Sequence, residues 1–282
     1  MIKLSVAVLY SVIISSLSSC TSIHRPVVAP NLQAKGLNQI PVHKNGCGPA
    51  SLITAYRFGS LKWNKALKYI PGKTDKEKFD HLVKNHGKVF SKHLSLQRRF
   101  DDKHGINIVD LTDLANDFQA KQQLQLPKLK YHSHFLKGKM DHNQLLKKTH
   151  THLTKSLAQG FPPILSIKTF AQVGSRWTQV HGHFVVLYQI PKKLPDDAKS
   201  FEVKYIDPWG GNIKKGFIKL PEKAFYATNV ATKKLVPKRS PLLEVDFPDS
   251  LLGTQTLKSN QRHATTIAFS IASESSILGL SK

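Results

Sequence analysis

Apolar residues recur at helical spacing in four stretches of the first 160 residues. In each stretch apolar side chains lie three and four positions apart, which is the pattern of an amphipathic helix. Pro49 lies just inside the start of the first stretch and Gly59 just past its end, where these residues favour helix boundaries. The predicted helices cover residues 47–56, 75–84, 109–121 and 143–160.

The pattern changes in the second half of the chain, where short runs of β-branched and aromatic residues are bounded by Gly, Pro and Asp. Such runs predict strands. The predicted strands cover residues 163–167, 183–188 and 201–206. Helices followed by strands predict an α+β fold, in which an N-terminal helical half faces a C-terminal antiparallel sheet across a cleft.

The two ends of the chain have weaker patterns. Residues 20–36 contain prolines and little periodicity, and we expect them to form a tether. The folded domain is expected to cover residues 37–221. Residues 222–282 are expected to be a C-terminal extension, to which the pattern assigns no role.

The first 19 residues predict a lipoprotein signal peptide. An uncharged apolar run from Leu4 to Leu17 is too short to span a membrane and ends in Ser18-Ser19-Cys20. This ending resembles the lipobox of bacterial lipoproteins, whose cysteine carries the lipid. With Thr21 next, we expect a lipid anchor on Cys20 in the cell envelope, on the outer membrane facing the periplasm. An ordinary cleaved signal, an uncleaved anchor or a Gram-positive source would change this placement.

The chain is strongly basic, with 42 Lys and Arg against 18 Asp and Glu and a net charge of +24. A positive field attracts anionic partners such as lipid headgroups or acidic wall polymers. The cations are spread along the chain in pairs, which favours an ordinary solvated surface over a dedicated polyanion site. No zinc-finger, RNA-recognition or helix-turn-helix signature is present, so nucleic acid is an unexpected partner.

Cys47 is the remaining cysteine once Cys20 is acylated. Exported proteins usually pair stabilising cysteines as disulfides, so this lone thiol is either a buried filler or a reactive group. It lies between two glycines at the predicted start of a helix. There the helix dipole favours the thiolate, and the N–H of Cys47 can stabilise an oxyanion. The sequence therefore predicts Cys47 as a nucleophile.

Two residues of the strand region complete a candidate triad. His183 opens an apolar strand, whose rigid edge suits a general base. Asp207 ends the next strand and can orient the imidazole through its far nitrogen. A zinc site of Cys47, Asp207, His183 and nearby His181 is the metal alternative. Because the thiol at a helix start suits a nucleophile better, neither a metal nor a cofactor is expected.

Together these motifs resemble the double-glycine (bacteriocin-processing) peptidase-like branch of the papain-like cysteine peptidases. That family has a Cys-Gly-Pro-Ala-Ser-Leu helix start, a Gly-x-Pro strand, a Gly-His-Phe/Trp-Val-Val strand and an Asp-Pro turn, in this order. The corresponding segments here are residues 47–52, 160–162, 182–186 and 207–208. The resemblance implies a papain-like fold with a catalytic Cys47, His183 and Asp207. It also implies that residues 61–140 contain a substrate-facing insertion.

The chain departs from the family at the oxyanion hole. Papain-like enzymes carry a glutamine a few residues before the cysteine, and Pro41 occupies that position here. Gln39, slightly further upstream, is the expected substitute. The departure affects the oxyanion donor and leaves the nucleophile unchanged.

We therefore expect an exported thiol hydrolase, most simply a cysteine peptidase that cleaves amide bonds in the cell envelope through an acyl-enzyme on Cys47. The implied partner is a peptide or another amide substrate. Two alternatives stay open. One is an acyl transferase similar to phytochelatin synthase, which has a similar Cys, His, Asp order. The other is an inactive papain-like module that binds anionic envelope polymers.

Overall fold

The structure is a computed structural model that describes residues 25–173, 176–222, 240–247 and 263–274. Its α-helices are α1 (Cys47–Phe58), α2 (Leu61–Lys65), α3 (Asp75–Leu82), α4 (Ile108–Lys121) and α5 (His142–Ala158). A 3₁₀ turn (Ala66–Tyr69) follows α2, and a π-helical turn (Val83–Gly87) follows α3. Within the described ranges, no helix combines the length and the apolar character that crossing a bilayer requires.

The strands lie mainly in the second half of the chain. They are β1 (Val27–Val28), β2 (Phe100–Asp101), β3 (Gly105–Ile106), β4 (Leu129–Ser133), β5 (Ile164–Val173), β6 (Arg176–Ile190), β7 (Ser200–Asp207), β8 (Asn212–Lys219), β9 (Leu243–Asp246) and β10 (His263–Ser273). β2 and β3 form a small hairpin of their own. The other strands belong to one sheet.

Six strands of this sheet close into an antiparallel barrel. The order is β6-β5-β10-β9-β8-β7, and β7 pairs again with β6. Closure leaves no open edge in the ring itself. β1 and β4 are added outside the ring, on β6 and β10 respectively.

The predicted fold class is wrong. We expected a papain-like α+β fold, in which an N-terminal helical half faces a sheet. The structure instead has a closed six-stranded antiparallel barrel with five short helices, and α1, α4 and α5 pack directly on barrel strands. The cause is β9 and β10, which bridge β8 to β5 and so close the sheet. Their residues carry no firm period in the sequence, so the pattern could not show this closure.

The individual elements were predicted more successfully than their arrangement. The four expected helices correspond to α1, α3, α4 and α5, and the three expected strands overlap β5, β6 and β7. The expected tether contains β1 and the buried Ala29, and the expected C-terminal extension contains β9 and β10. The expected signal peptide and Cys20 lie outside the described residues.

Helix α1 is buried on nearly every side, which holds its first residue firmly in place. Its Tyr56 ring stacks on Trp63 with a centroid distance of 6.1 Å, and Trp63 contacts Phe161 with a centroid distance of 4.6 Å. All three rings are fully buried. Aromatic pairs at these separations add to the stability that burial alone gives. The N-terminus of α1 is thereby positioned against β6.

Candidate active site

Cys47 is the first residue of α1 and is partly buried. The glycines on either side of it are needed because other side chains approach closely. A Cβ at Gly46 would lie 2.7 Å from the ring of Phe79, and a Cβ at Gly48 would lie 2.4 Å from Cγ2 of Ile106. The space beside the cysteine backbone is therefore filled by α3 and β3. Packing on both sides fixes the direction in which the sulfur points.

The thiol of Cys47 has a lowered pKa. Burial, the largest single influence, raises the pKa of this thiol. The hydrogen bond and positive charge of His183, together with hydrogen bonds from the backbone N–H groups of Phe184 and Gly48, outweigh burial and lower the pKa. A thiolate at a helix N-terminus also benefits from the helix dipole. Cys47 is thus activated by groups from β6 and from its own helix.

His183 lies between the thiol and a carboxylate. Its Nε2 atom is 2.8 Å from Oδ1 of Asp207, and its ring also hydrogen-bonds Cys47. Since Nε2 is engaged by Asp207, the nitrogen that faces the sulfur is Nδ1. Burial lowers the pKa of His183, but its bonds to Asp207 and Cys47 outweigh burial and raise the pKa to about 9. The geometry therefore favours a thiolate and imidazolium pair.

Asp207 is fully buried at the end of β7, yet its carboxylate has three hydrogen-bond partners. The backbone N–H of Trp209 donates to Oδ1 at 2.9 Å, and Nζ of Lys214 donates to Oδ2 at 3.1 Å. Burial raises the pKa of Asp207, but His183, Trp209 and Lys214 together hold the pKa below its usual range. A buried carboxylate with such partners stays ionised. It can therefore hold the imidazolium of His183 in place.

Gln39, the expected oxyanion donor, is buried on the loop that leads to α1. Its Nε2 donates to the carbonyl oxygen of Lys44 at 2.8 Å. Its Oε1 is buried without a hydrogen-bond partner among the described residues. Pro41, which occupies the position expected for the glutamine, is exposed. The Gln39 amide is therefore engaged with the loop itself.

The loop containing Gln39 is joined to the turn that follows Asp207. The backbone N–H of Gln39 donates to the carbonyl of Pro208 at 2.8 Å. At Gly36 an added Cβ would lie 2.4 Å from the carbonyl oxygen of Gly211. Gly211 itself has a φ of +73°, a conformation that favours glycine. These backbone contacts pack the Asp207 turn against the segment before α1.

Two further basic side chains, Lys168 and His181, lie on β5 and β6. The His181 and His183 rings are 6.2 Å apart between centroids, and Nδ1 of His181 is buried without a hydrogen-bond partner in the described part of the chain. Burial lowers the pKa of Lys168 on β5, and the charge of Cys47 raises it. In the zinc alternative Asp207 would have to bind the metal as well as His183. Its Oδ1 instead accepts hydrogen bonds from His183 and the N–H of Trp209, and its Oδ2 accepts from Lys214.

A groove of 740 Å³ lies beside the N-terminus of α1. It runs between residues 88–107 and Lys168, and we call it the Lys168 groove. Asn45 ties its outer wall to the cysteine loop, because its Nδ2 donates to the carbonyls of Asp102 and Lys103, both at 2.9 Å. Ile106 lines the groove and also contacts position 48. Lys168, which also lines the groove, interacts electrostatically with Cys47.

Sequence reasoning missed Lys168 and Lys214. Lys168 directly follows the buried run of residues 164–167, and a charge at the end of such a run is a signal that could have revealed it. Lys214 reaches Asp207 across the β7–β8 hairpin, in which Tyr205 pairs with Lys214 and Asp207 with Asn212. That register is set by the Gly210-Gly211 turn. The sequence contains the turn residues but does not show which side chains meet.

No family model matches the chain, and no curated protein matches it at a significant level. The resemblance to the double-glycine peptidase-like branch therefore remains a prediction from motifs. Any functional conclusion rests on the geometry of Cys47, His183 and Asp207.

Proposed function

We propose that the protein is a thiol hydrolase, most simply a cysteine peptidase, that works through an acyl-enzyme on Cys47. One observation carries the proposal: His183 is buried between the Cys47 thiol and the Asp207 carboxylate, with Nε2 2.8 Å from Oδ1. A nucleophile, a base in hydrogen-bond reach and a group that orients the base form the usual arrangement of nucleophilic catalysis. Because the fold differs from the papain-like expectation, the proposal depends on this site alone.

In the first half of the reaction the Cys47 thiolate attacks the carbonyl carbon of the amide. A carbon–sulfur bond forms, and the carbonyl π electrons move to oxygen, where the N–H of Cys47 donates a hydrogen bond. As the oxyanion collapses, the carbon–nitrogen bond breaks and the Nδ1 proton of His183 passes to the leaving nitrogen. The products are a free amine and a thioester on Cys47.

In the second half water hydrolyses the thioester. Neutral His183 takes a proton from water at Nδ1 while the water oxygen attacks the acyl carbon. Collapse of this oxyanion breaks the carbon–sulfur bond and releases the carboxylic acid and the thiolate. His183 is again protonated and Asp207 again stabilises it. The cycle needs no metal, oxidant or reductant.

We infer that the substrate reaches the Cys47 thiol through the Lys168 groove, from the side formed by residues 88–107. Leu94 and Leu96 are exposed where they line this groove, and Lys168 lies at its inner end. An extended chain can rest its apolar side chains on such a surface while a carbonyl or carboxylate faces the cation. A substrate held there would contact part of the segment of residues 61–140, which the sequence predicts to face the substrate.

We also propose that the chain is exported and anchored by lipid on Cys20, since the apolar run and lipobox-like ending precede a domain with a single further cysteine. A Cys20→Ser variant is the test. The native chain should partition into detergent and carry the mass of acyl groups after expression in a Gram-negative host. The variant should appear in the aqueous phase, and acylation that persists in Cys20→Ser would contradict the anchor.

The catalytic proposal is tested by alkylating Cys47 with iodoacetamide across pH, followed by intact mass. The native protein should react rapidly well below the free-thiol pKa of about 8.5. His183→Gln should slow the reaction at neutral pH by at least about tenfold, because the thiolate loses its partner. His181→Gln is the matched control on the same strand and should change the rate little.

Turnover provides the second readout. A mixture of quenched peptide substrates should be hydrolysed by the native protein, and Cys47→Ala should abolish hydrolysis while retaining the native circular dichroism spectrum. Product mass separates hydrolysis from the acyl transfer alternative, since transfer to an added amine or to glutathione gives a heavier product. If the alkylation rate of Cys47 in the native protein follows the pH titration of an ordinary thiol, the proposed role of Cys47 is refuted and a binding module is favoured.

A further inference from the structure

A second groove lies away from the candidate triad, along strand β4. It has a volume of 820 Å³, and its walls are one face of α4 and one face of α5. Its floor is the whole of β4 with the residues that flank it, from Lys128 to His134. We call it the edge groove. Its lining residues exclude Cys47, His183 and Asp207, so the proposed reaction does not account for it.

Along one edge of β4, the backbone N–H and C=O groups face this groove. β4 pairs with β10, where the N–H of His134 donates to Ala268 at 3.0 Å and the N–H of Glu274 donates to Lys128 at 2.9 Å. In an antiparallel ladder alternate residues bond the partner, and those between them point their peptide groups the other way. The even-numbered residues of β4 therefore bond β10. The odd-numbered residues, Leu129 and Ser133 among them, face the groove.

The side chain of Asn116 confirms this direction at one end of the strand. Its Nδ2 donates to the carbonyl of Leu129 at 2.9 Å, and its Oδ1 accepts from the N–H of Leu129 at 3.0 Å. Asn116 thus takes the place that a residue of a neighbouring strand would occupy. Further along, the peptide groups of Tyr131 and Ser133 have no hydrogen-bond partner within the described ranges. They form an exposed pairing edge.

The charge of the edge groove is strongly positive. Its cationic side chains are those of Lys128, Lys130, Lys137, Lys148 and Lys155. The one carboxylate among its lining residues is Asp113, whose Oδ2 lies 3.0 Å from Nε2 of His93. Lys130 forms an ion pair with Glu274, whereas the other four lysines have no ion pair in the described part of the chain. The groove therefore favours a ligand with negative charges.

A histidine on α5 adds an unpaired polar atom to the wall. Nε2 of His152 is buried and has no hydrogen-bond partner among the described residues. The His152 ring lies 3.7 Å from that of His132 between centroids. Burial lowers the pKa of His152 to about 4, so this atom belongs to a neutral ring near neutral pH. His152 therefore adds a neutral ring, and no positive charge, to the wall of the groove.

We propose that the edge groove binds an extended acidic segment of a partner protein, which pairs with β4 as an additional strand. Tyr131 and Ser133 present N–H donors and C=O acceptors in turn, which is the pattern that another strand satisfies. A small anion could accept hydrogen bonds from these N–H groups, but the neighbouring carbonyl oxygens would repel it. The backbone of the segment would pair with β4, and its carboxylates would lie near Lys148 and Lys155. Alternating side chains of the segment would contact Val109 and Leu145.

Binding of a labelled peptide to the full chain tests this proposal by fluorescence anisotropy. The probe alternates Glu and Val over about eight residues, the length of a typical strand. A second peptide carries N-methyl groups on alternate amides and cannot complete the ladder. In buffer of about 0.1 M salt, we expect saturable binding of the first peptide and at least about tenfold weaker binding of the second. A Lys-Val peptide should not bind.

Substitutions in the groove test whether the peptide binds there. Lys148→Gln combined with Lys155→Gln should weaken binding by at least about tenfold. Lys147→Gln is the matched control, because Lys147 is adjacent in sequence but is paired with Asp196 at 2.7 Å outside this groove. Ser133→Pro removes a donor that faces the groove without removing a bond to β10, and should also weaken binding. Circular dichroism melting verifies that each variant is folded.

Three results would overturn the proposal. Equal binding of the N-methylated peptide would show that charge alone attracts the probe. Complete displacement by anionic lipid vesicles or by inorganic phosphate, with no loss in Ser133→Pro, would assign the groove to a different ligand. If neither peptide binds saturably, the edge groove is not a binding site for an extended segment. Because alkylation of Cys47 is measured separately, failure here leaves the proposed hydrolase unaffected.

Discussion

The ammonium group of Lys214 lies 3.1 Å from Oδ2 of Asp207, the carboxylate oxygen that His183 does not use. His183 and the N–H of Trp209 share the other oxygen, at 2.8 and 2.9 Å. Both oxygens of a fully buried carboxylate are therefore bonded. A buried charge is tolerated when it is paired and hydrogen-bonded in this way. The arrangement keeps Asp207 ionised, and an ionised Asp207 stabilises the protonated His183.

Asp207→Asn tests this coupling. We expect the pKa of His183 to fall, because the charge and hydrogen bond of Asp207 raise it. With His183 neutral, the pKa of Cys47 should rise, because the bond and charge of His183 lower it. Alkylation of Cys47 at about pH 6 should slow by at least about tenfold. An unchanged rate would show that Asp207 acts only as a structural residue.

Lys214→Met is the opposite counterpart of that experiment. Lys214 shares the Asp207 carboxylate with His183, and both cations lower the pKa of Asp207. Removing the competing cation should raise the pKa of His183 and shift the Cys47 alkylation profile to lower pH, opposite to the shift in Asp207→Asn. NMR titration of the His183 ring measures the intermediate step. A shift in the same direction as that of Asp207→Asn would mean that Lys214 is needed to keep Asp207 in place.

The pH dependence of hydrolysis should be bell-shaped. His183, whose pKa is raised to about 9, must be protonated to release the leaving amine, so activity should fall as pH rises through about 9. The acid limb should follow protonation of the Cys47 thiolate, whose pKa lies below the free-thiol value of about 8.5. Measuring kcat/KM across pH gives both limbs.

Alkylation should behave differently from hydrolysis at high pH. It requires only the thiolate, so its rate should stay high above the pKa of His183 while hydrolysis declines. The two profiles are compared on the same preparation. Parallel loss of both at high pH would mean unfolding or modification, and the assignment of the alkaline limb to His183 would then be wrong.

Strand β10 should be essential for stability. Ile267 is fully buried where β10 pairs with β5, and Ile267→Ala should lower the free energy of unfolding by about 2–5 kcal/mol. Thr265→Ala on the same strand is the control and should cost at most about 1 kcal/mol. Denaturant unfolding measures both. A chain truncated after residue 222 lacks β9 and β10 and should show no cooperative transition. Cooperative unfolding of that truncated chain would contradict the role of barrel closure.

Gly36→Ala should disturb the site from a distance. Its Cβ would lie 2.4 Å from the carbonyl oxygen of Gly211, so the turn after Asp207 must shift. Overpacking of this kind costs about 1–3 kcal/mol. We expect a lower free energy of unfolding together with slower alkylation of Cys47 at neutral pH. Full stability and reactivity would show that the loop and the turn are not coupled.

Local patterns in the sequence predicted the elements that hold the site. Pro49 and Gly59 marked the limits of α1, and the apolar run after His183 marked a strand that is part of β6. These signals are local, because helix boundaries and strand alternation depend on neighbouring residues. The order of Cys47, His183 and Asp207 and their predicted placement at element ends suggested that they meet. Cys47 and Asp207 do lie at element ends, whereas His183, which was expected to open its strand, lies in the middle of β6. The structure brings these three together, while Gln39 is engaged by Lys44.

The sequence by itself determined which segments are helical, which are extended, and where a reactive thiol could lie. Only the tertiary structure decided that the sheet closes, because closure depends on β10 pairing with β5 across almost 100 residues of chain. Likewise only the fold brought Lys214 to Asp207, left the β4 edge open between α4 and α5, and placed Lys168 beside the thiol. Long-range pairing depends on register and packing between distant segments, and a periodic pattern within one segment contains no record of its partner.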